Sequence, residues 1–324
     1  MQKLFIASAL ALAAVIAPDV HAQPAWPAKE IKIYVAFPAG GVIDVITRIV
    51  ATELQAELGQ PVIVEPRPGA GGRIAMDQVA ASAPDGYSWL STSYIPFTSN
   101  NSLYPGSRSD PVKDFEPVIN AASTPHVVVV PASLPVKSLQ GLIAYAKSHQ
   151  NSLSFGSSGA GAGNHLAVEL LKKQSGLEML HVPYKGQPAA ITDLVSGRVQ
   201  FMVLAATLAK PLIDAGKLRA LAVIDPERSP LLPDVPTLVE LGYPNATAQV
   251  SVAFFMPAKT PIAIVEKANA ILRKVLSSPE TVRHIVNTGN TAVQMQDVPA
   301  FRRDVKKEVA RWAAVIKDAN IKVE

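Results

Sequence analysis

Along the chain, short apolar runs rich in β-branched residues alternate with longer segments whose apolar positions recur at helical spacing, the pattern of β-α units built around a parallel sheet. Ile31 to Phe37 reads as a strand, and Val42 to Leu58 as an amphipathic helix that Gly59 is placed to stop. Strand Val62 to Glu65, helix Arg73 to Ala81 and strand Tyr87 to Thr92 follow, punctuated by Pro66-Arg67-Pro68-Gly69 and Pro84-Asp85-Gly86. A second alternating series opens with a strand at Val127 to Val130 and a helix at Ser138 to Ser148. Strand Leu153 to Gly156, helix Asn164 to Ser175, strand Met179 to Val182 and helix Pro188 to Ser196 come next, then strands Gln200 to Leu204 and Leu218 to Ile224. After a strand at Val250 to Phe255, the segments Pro261 to Leu276, Pro279 to Asn287 and Val298 to Ala319 all read as helices.

A helical tail needs apolar surface to cover, and the exposed sheet face of the first unit is the expected place. That makes the first lobe discontinuous, residues 23–122 with 252–324, and leaves 123–251 as the second, with crossings near Ile119 to Ser123 and Val250 to Ala253. Two α/β lobes also suit the length of 324 residues, since a single core usually stops growing well below that.

The leading segment is different in kind. Met1-Gln2-Lys3 precedes an apolar run from Leu4 to Ala17, then Pro18-Asp19-Val20-His21-Ala22, with small residues at Val20 and Ala22. This is the layout of a secretory signal peptide over residues 1–22, with cleavage expected after Ala22. The run is too short to cross about 30 Å of hydrocarbon as a helix, so the rest of the chain is expected in the periplasm.

Composition narrows the chemistry. The chain has no cysteine, which removes disulfides, thiolate metal sites, Cys nucleophiles and iron–sulfur clusters. Hydrophobic residues make up 48% and charged residues only 17%, enough apolar surface for a large core. A net charge of +4 is too small for a nucleic-acid protein and weakly favours small anionic partners.

Candidate chemistry concentrates in strand-to-helix loops. Phe37-Pro38-Ala39-Gly40-Gly41 lets the backbone approach a ligand while the following helix turns its free N–H groups and positive dipole end to the same point. Asp44, in the first turn, is placed to cap or complement the helix start and stays among the candidates for ligand contact. In the second series, Ser157, Ser158, Gly159, Gly161, Asn164 and His165 lie between a strand and a helix and offer N–H and hydroxyl donors at a strand's carboxyl end. Neither G-x-G-x-x-G, GxxxxGK[ST] nor G-x-S-x-G is present in register. His165 and Glu169 stand one turn apart and read as a packing or hydrogen-bonding pair, since no third metal ligand is near. Thr92-Ser93-Tyr94 ends a strand and either offers hydroxyls and an aromatic wall to a site or is a plain hairpin or loop; Arg67 to Arg73 either borders the cleft or simply turns the chain; His181 to Gly186 pairs two polar rings with a cation near a strand end and reads equally as a site element or a structural one. The basic segment Arg302 to Lys317 reads as a solvated helix face or a docking surface.

These residues, in order, resemble the Bug family, the extracytoplasmic solute-binding proteins of tripartite tricarboxylate transporters. The resemblance lies in VAFPAGG at Val35 to Gly41, GQPVIVEPRPGAGG at Gly59 to Gly72, APDGY at Ala83 to Tyr87 and DPVKDFEPV at Asp110 to Val118. It continues in HVPYKG at His181 to Gly186, AGKLRALAV at Ala215 to Val223 and LPDVPT at Leu232 to Thr237. The resemblance implies a two-lobed type II periplasmic-binding fold, no catalysis and no cofactor. It also implies a carboxylate held between the lobes by backbone amides, hydroxyls and waters, and membrane permease subunits as partners of a monomeric receptor.

The chain departs from the family pattern where the ligand would sit. Ile43 stands where Thr is common, Ala205-Ala206 where a polar residue is frequent, and Val250-Ser251 where many members carry Ser-Trp. An apolar middle suits mono- or dicarboxylates of terephthalate or adipate size better than citrate. Two rivals remain at this stage: an exported hydrolase using Ser157 with His165, and a sensor that shows its closed form to a signalling receptor.

Overall fold

The computed structural model describes residues 26–149, 152–184, 186–292 and 296–323; the expected signal segment and its cleavage point lie outside them. The first sheet has six strands in the order β11-β4-β10-β3-β1-β2. They are β1 (Ile31–Val35), β2 (Val62–Pro66), β3 (Ser88–Ser93), β4 (Phe115–Ser123), β10 (Ser251–Pro257) and β11 (Thr291–Ala292). The second sheet runs β7-β6-β8-β5-β9, built from β5 (His126–Pro131), β6 (Ser154–Ser157), β7 (Leu180–Pro183), β8 (Phe201–Ala205) and β9 (Leu218–Val223). The chain leaves the first sheet after Ser123 and enters the second at His126, then returns between Val223 and Ser251. This is the two-lobed α/β architecture that the resemblance implies.

Helices α1 (Val42–Leu58), α2 (Arg73–Ala80) and α3 (Tyr94–Leu103) belong with the first sheet, and α4 (Leu139–Ser148), α5 (Gly163–Ser175), α6 (Gln187–Val195) and α7 (Ala206–Asp214) with the second. The tail supplies α8 (Ile262–Leu276), α9 (Pro279–Asn287) and α10 (Val298–Asp318). Helix α1 stops as expected: Gly59 is left-handed at φ 63° and returns its N–H to Gln55.

The sheets are mixed rather than parallel. β1 runs parallel to β2 and β3, but β10 is antiparallel to β3 and β4. Likewise β6 is parallel to β7 and β8, and β5 antiparallel to β8 and β9. The reason is the crossing itself. β5 and β10 are the strands that follow a passage between sheets, so they start at the end where β1, β3, β6 and β8 finish.

Strand alternation divides the core. In the run Val127 to Val130, Val127 and Val129 join one cluster and Val128 and Val130 another, on opposite faces of the second sheet. β10 does the same for the first sheet, sending Val252, Phe254 and Met256 to one side and Ala253 and Phe255 to the other. Each buried Val, Phe or Met among these stabilises the fold by roughly 1.5–3 kcal/mol relative to exposure.

The tail packs more widely than its pattern suggests. It adds the short strand β11, and α10 serves both lobes: Phe301 and Val305 enter a first-sheet cluster, Trp312, Val315 and Ile316 the main second-sheet cluster. Its basic residues are partly spent in holding that position, Arg302 on Glu116 and Arg311 on Glu308 and the Thr247 carbonyl. Among the described residues no helix is long and apolar enough to cross a membrane.

Candidate functional site

A cavity of about 530 Å³ opens between the two sheets, lined from both. It lies at the carboxyl ends of β1, β3, β6 and β8, the end at which open α/β sheets take ligands. Each of these strands feeds a helix that starts beside the cavity: α1 after β1, α3 after β3, α5 after β6 and α7 after β8. Val42 and Ile43 of α1, Pro96 of α3, Gly163 and Asn164 of α5, and Thr207 and Leu208 of α7 all contribute to the wall. Four helix amino ends, two from each lobe, therefore converge on one space. First-turn amides lack partners within their own helix, and each end carries roughly half a positive charge.

The described lining holds no Lys, Arg, Asp or Glu. Its body is apolar, with Phe37, Leu103, Ala205 and Val250 beside the helix residues. Ser93, Tyr104 and Thr207 bring hydroxyl-bearing side chains to this wall. Arg73 stacks on the outer face of Tyr104, its guanidinium carbon 4.1 Å from the ring centre, one ring away from the cavity.

Asn100 Oδ1 is buried on the wall with no partner among the described residues, whereas other polar groups there are occupied. His126 Nδ1 donates to the Thr124 carbonyl at 2.7 Å, and its Nε2 accepts from Gln187 Nε2 at 3.2 Å, while Gln187 Oε1 accepts the Ala205 N–H at 3.0 Å. This fixes a neutral imidazole, and burial, opposed by the bond to Thr124, holds it at about 4. Asn164 accepts from the Ser158 hydroxyl at 2.7 Å and donates to the Val203 carbonyl at 3.1 Å.

Of the residues singled out in the sequence, Phe37, Ser93, Ser158, Gly159, Gly161, Asn164 and Ala205 lie on the cavity wall. The other candidate site residues are not among its lining, and Ala39 and Gly40 are exposed. The Gly40 N–H goes to Asp44 at 3.0 Å and the Gly41 N–H to Pro38 at 3.2 Å, so the loop that includes Ala39 closes on itself. Asp44 also accepts from Arg48 at 2.9 Å; burial raises its carboxyl, but the bonds from Arg48 and Gly40 and the guanidinium charge outweigh that and hold it below the usual range. Thr92 is buried in β3. Tyr94 lies in the core against Phe301, ring centres 5.6 Å apart. Ala206 is in the core, its N–H on the Pro125 carbonyl. Ser251 is fully buried and, by strand alternation, turns away from the face that its neighbour Val250 presents to the cavity.

Ser157 and His165 do not pair with each other. Ser157 Oγ is 2.7 Å from His181 Nε2, and His165 Nδ1 accepts the Gly161 N–H at 2.9 Å. Of the wall residues that sequence reasoning missed, Thr124, His126 and Gln187 flank elements it read, whereas others come from elements it also missed: Pro96, Asn100 and Leu103 from α3, and Thr207 and Leu208 from α7. Polar Thr98, Ser99 and Asn100 hid the first, whereas the Ala-rich run after Leu204 was the available signal for the second.

Comparison with known proteins gives a consistent picture. The family model described as tripartite tricarboxylate transporter family receptor matches residues 46–321. Protein BugT of Bordetella pertussis is 35% identical over 322 residues, covering 99% of this chain and 97% of that one. Among solved structures, R. palustris Rpa4515 with adipate aligns at a TM-score of 0.76 and 34% identity, over 92% of this chain and 99% of the other. MatC from Rhodopseudomonas palustris with bound malate aligns at 0.73 and 29% identity, over 90% and 100%.

Proposed function

Because the chain belongs to the tripartite tricarboxylate transporter receptor family, and is thus a periplasmic solute-binding protein and not an enzyme, we propose that it captures a small mono- or dicarboxylate with an apolar middle. The solute sits between lobes formed by residues 23–122 with 252–324 and by residues 123–251, and the loaded monomer is read by the permease subunits of its transporter. Residues 1–22 direct export and are removed after Ala22.

The observation that carries this reading is the convergence of four helix amino ends on a cavity whose described wall has no charged side chain. The amino ends present positive potential of roughly half a charge each to an anion, less at α1, whose first turn already carries Asp44 paired with Arg48. They do so through fixed dipoles that need no bulky cation in the space. Between them the walls are apolar: Ile43 and Val42 from one lobe face Leu208 and Ala205 from the other. A ring or a methylene chain is at home there, whereas a hydroxyl on every carbon would lose its water without replacement. Support also comes from the adipate and malate bound by the two structural relatives.

A solute closes the lobes only as far as it binds the closed form better than the open one, so it must touch both. Calorimetry with terephthalate, adipate, malate and citrate tests the reading. Micromolar binding, about 8 kcal/mol, is expected for the first two and weaker binding for citrate; a protein stabilised by no carboxylate would refute it. The hydrolase reading that pairs Ser157 with His165 fails, since His165 Nδ1 is taken by the Gly161 N–H and Ser157, which meets His181 instead, is fully buried and off the cavity wall.

A further inference from the structure

Beneath the loop that joins β6 to α5, two imidazoles from separate elements lie face to face. His165 of α5 and His181 of β7 have ring centres 3.7 Å apart and planes 8° from parallel. Each commits one nitrogen to the loop above. His165 Nδ1 accepts the Gly161 N–H at 2.9 Å. His181 Nε2 lies 2.7 Å from Ser157 Oγ, which in turn accepts the Gly159 N–H at 3.1 Å and donates to the Gly159 carbonyl at 3.0 Å. The loop is therefore tied from below at Ser157, Gly159 and Gly161, while Gly159 and Gly161 form part of the cavity wall. Both glycines have positive φ, 132° and 75°, so the loop takes a shape that its own chain does not favour in L-residues.

The tie fixes the chemical state of the rings. An Nδ1 that accepts an N–H carries no proton, so the His165 proton is on Nε2, 3.8 Å from the Glu169 carboxylate. Lys172 also faces the pair and bonds Glu169 at 3.0 Å. Burial, then His181 and Lys172, hold His165 at about 3. Burial, then Lys172, holds His181 at about 4. Both are neutral over the range in which a periplasmic receptor works: His165 accepts through Nδ1, and His181, since the Ser157 proton goes to the Gly159 carbonyl, donates its Nε2–H to Ser157 Oγ.

We propose that His165 and His181 are positioning residues of the solute site: by drawing the Gly159 and Gly161 amides downward they set the loop in the one shape that aims the amino end of α5 at an anionic solute. Neither ring touches the solute. The role presupposes the carboxylate receptor proposed above for its effect on affinity, but not for its effect on the loop.

Four variants separate the nitrogen from the ring. His165→Phe and His181→Phe keep a flat stack and lose the hydrogen-bonding nitrogen, whereas His165→Asn and His181→Gln return a polar atom near Nδ1 and Nε2. In solute-free protein, hydrogen exchange at Gly161 is expected to quicken about tenfold in His165→Phe, and at Gly159 in His181→Phe, for one lost hydrogen bond. Adipate affinity is expected to fall by a similar factor in both. The Asn and Gln variants recover most of each loss. Unchanged exchange in the folded Phe variants overturns the proposal, as does equal impairment of the Asn and Gln variants, which would assign the rings to packing alone. Should the Phe variants not fold, the imidazole ¹⁵N shifts of the parent protein decide it: an Nδ1 of His165 protonated at neutral pH overturns the tie. A parent that binds no carboxylate while its Phe variants still loosen the loop removes the receptor reading and leaves the positioning role standing.

Discussion

Tyr94 donates its hydroxyl to Asp304 Oδ2 across 2.8 Å, joining the first turn of α3 to α10 over 210 residues of chain. α3 starts at the cavity and α10 runs from the core of one lobe into that of the other. The bond therefore braces a cavity-wall helix against the helix that links the lobes. Burial, reinforced by the Asp304 charge, pushes the Tyr94 phenol far above its ordinary range, so it remains a donor at every working pH.

Replacing Tyr94 by Phe should keep the packing on Phe301 and remove only that donor. A lost bond to a charged acceptor is worth about 1.5–3 kcal/mol, and Asp304 is only partly buried, so the lower end is expected. Carboxylate affinity should stay within about twofold, because the side chain stands behind the wall. Urea unfolding and calorimetry on the same preparation check both; an affinity loss as large as the stability loss would put Tyr94 in the site.

Acid should reveal a balance between one carboxyl and three imidazoles. Asp225 is nearly fully buried and accepts from Ser123 Oγ at 2.6 Å and from the His126 N–H at 3.2 Å. Burial outweighs those bonds and pushes its carboxyl up to about 7. An unfolded Asp titrates near 4. Between about 4 and 7 the folded chain thus keeps a proton that the unfolded chain has released, and stability falls as pH rises through that window. His126, His165 and His181 work in the opposite sense. Held at about 4, 3 and 4 by burial, against about 6.5 unfolded, they contribute stability that is complete above 6.5 and lost as pH falls. Asp225→Asn removes the opposing member, so its melting temperature should drop more steeply from pH 6.5 to 4.5 than the parent's. Parallel curves for the two proteins would contradict this.

What the sequence made legible was whatever has a local cause. α1 was readable from end to end because an apolar stripe and a left-handed Gly59 are both local. α3 was not. Pro96, Thr98, Ser99 and Asn100 are poor helix formers, and the helix stands because Ile95, Phe97 and Leu103 are buried by clusters from both lobes. β4 was overlooked for a similar reason: Pro117 and Asn120 interrupt its apolar run, yet pairing with β10 and β11 carries it. At the site, glycine marked the right loops. Their amides bond partners only a few residues away, Asp44, Pro38, Ser157 and His165, while the contact of Ser157 with His181 joins residues distant in sequence, and no local pattern reports that. The amides of Gly40, Gly41, Gly159 and Gly161 bond within their own strand-to-helix segments, beside helix ends that border the cavity.

Two glycines with nearly the same backbone angle should respond differently to alanine. Gly40 has φ 76° with nothing within 4 Å of an added Cβ, so only the conformational cost of about 1–2 kcal/mol applies. At Gly161, φ 75°, the new methyl would meet Val323 Cγ1 at 2.8 Å and Leu103 Cδ1 at 3.0 Å. Overpacking adds a further 1–3 kcal/mol, and relief of the clash moves a cavity-wall loop. Gly161→Ala should therefore lose both stability and carboxylate affinity, whereas Gly40→Ala loses stability alone. Chemical unfolding and calorimetry of the two variants distinguish these outcomes; equal losses would mean that the Val323 contact gives way freely.

Selectivity should turn on Ile43. It lies at the amino end of α1, on the cavity wall with Val42, while Leu208 supplies an apolar surface from the other lobe. A ring or methylene chain between these side chains loses water on both sides at once, worth about 0.8 kcal/mol per buried CH₂. Ile43→Thr removes one part of that apolar surface and adds a hydroxyl where a hydroxylated solute needs a partner. Adipate and terephthalate should then bind about tenfold more weakly and malate several-fold more tightly, since one group in a pocket typically discriminates by about 10–200-fold. Leu208→Ala is the control. It enlarges the same gap without adding a hydrogen-bonding group, so it should weaken adipate with no gain for malate. Competition calorimetry with both solutes reads the ratio directly, and an Ile43→Thr protein that keeps the parental order of preference would place the solute's apolar part elsewhere in the cavity.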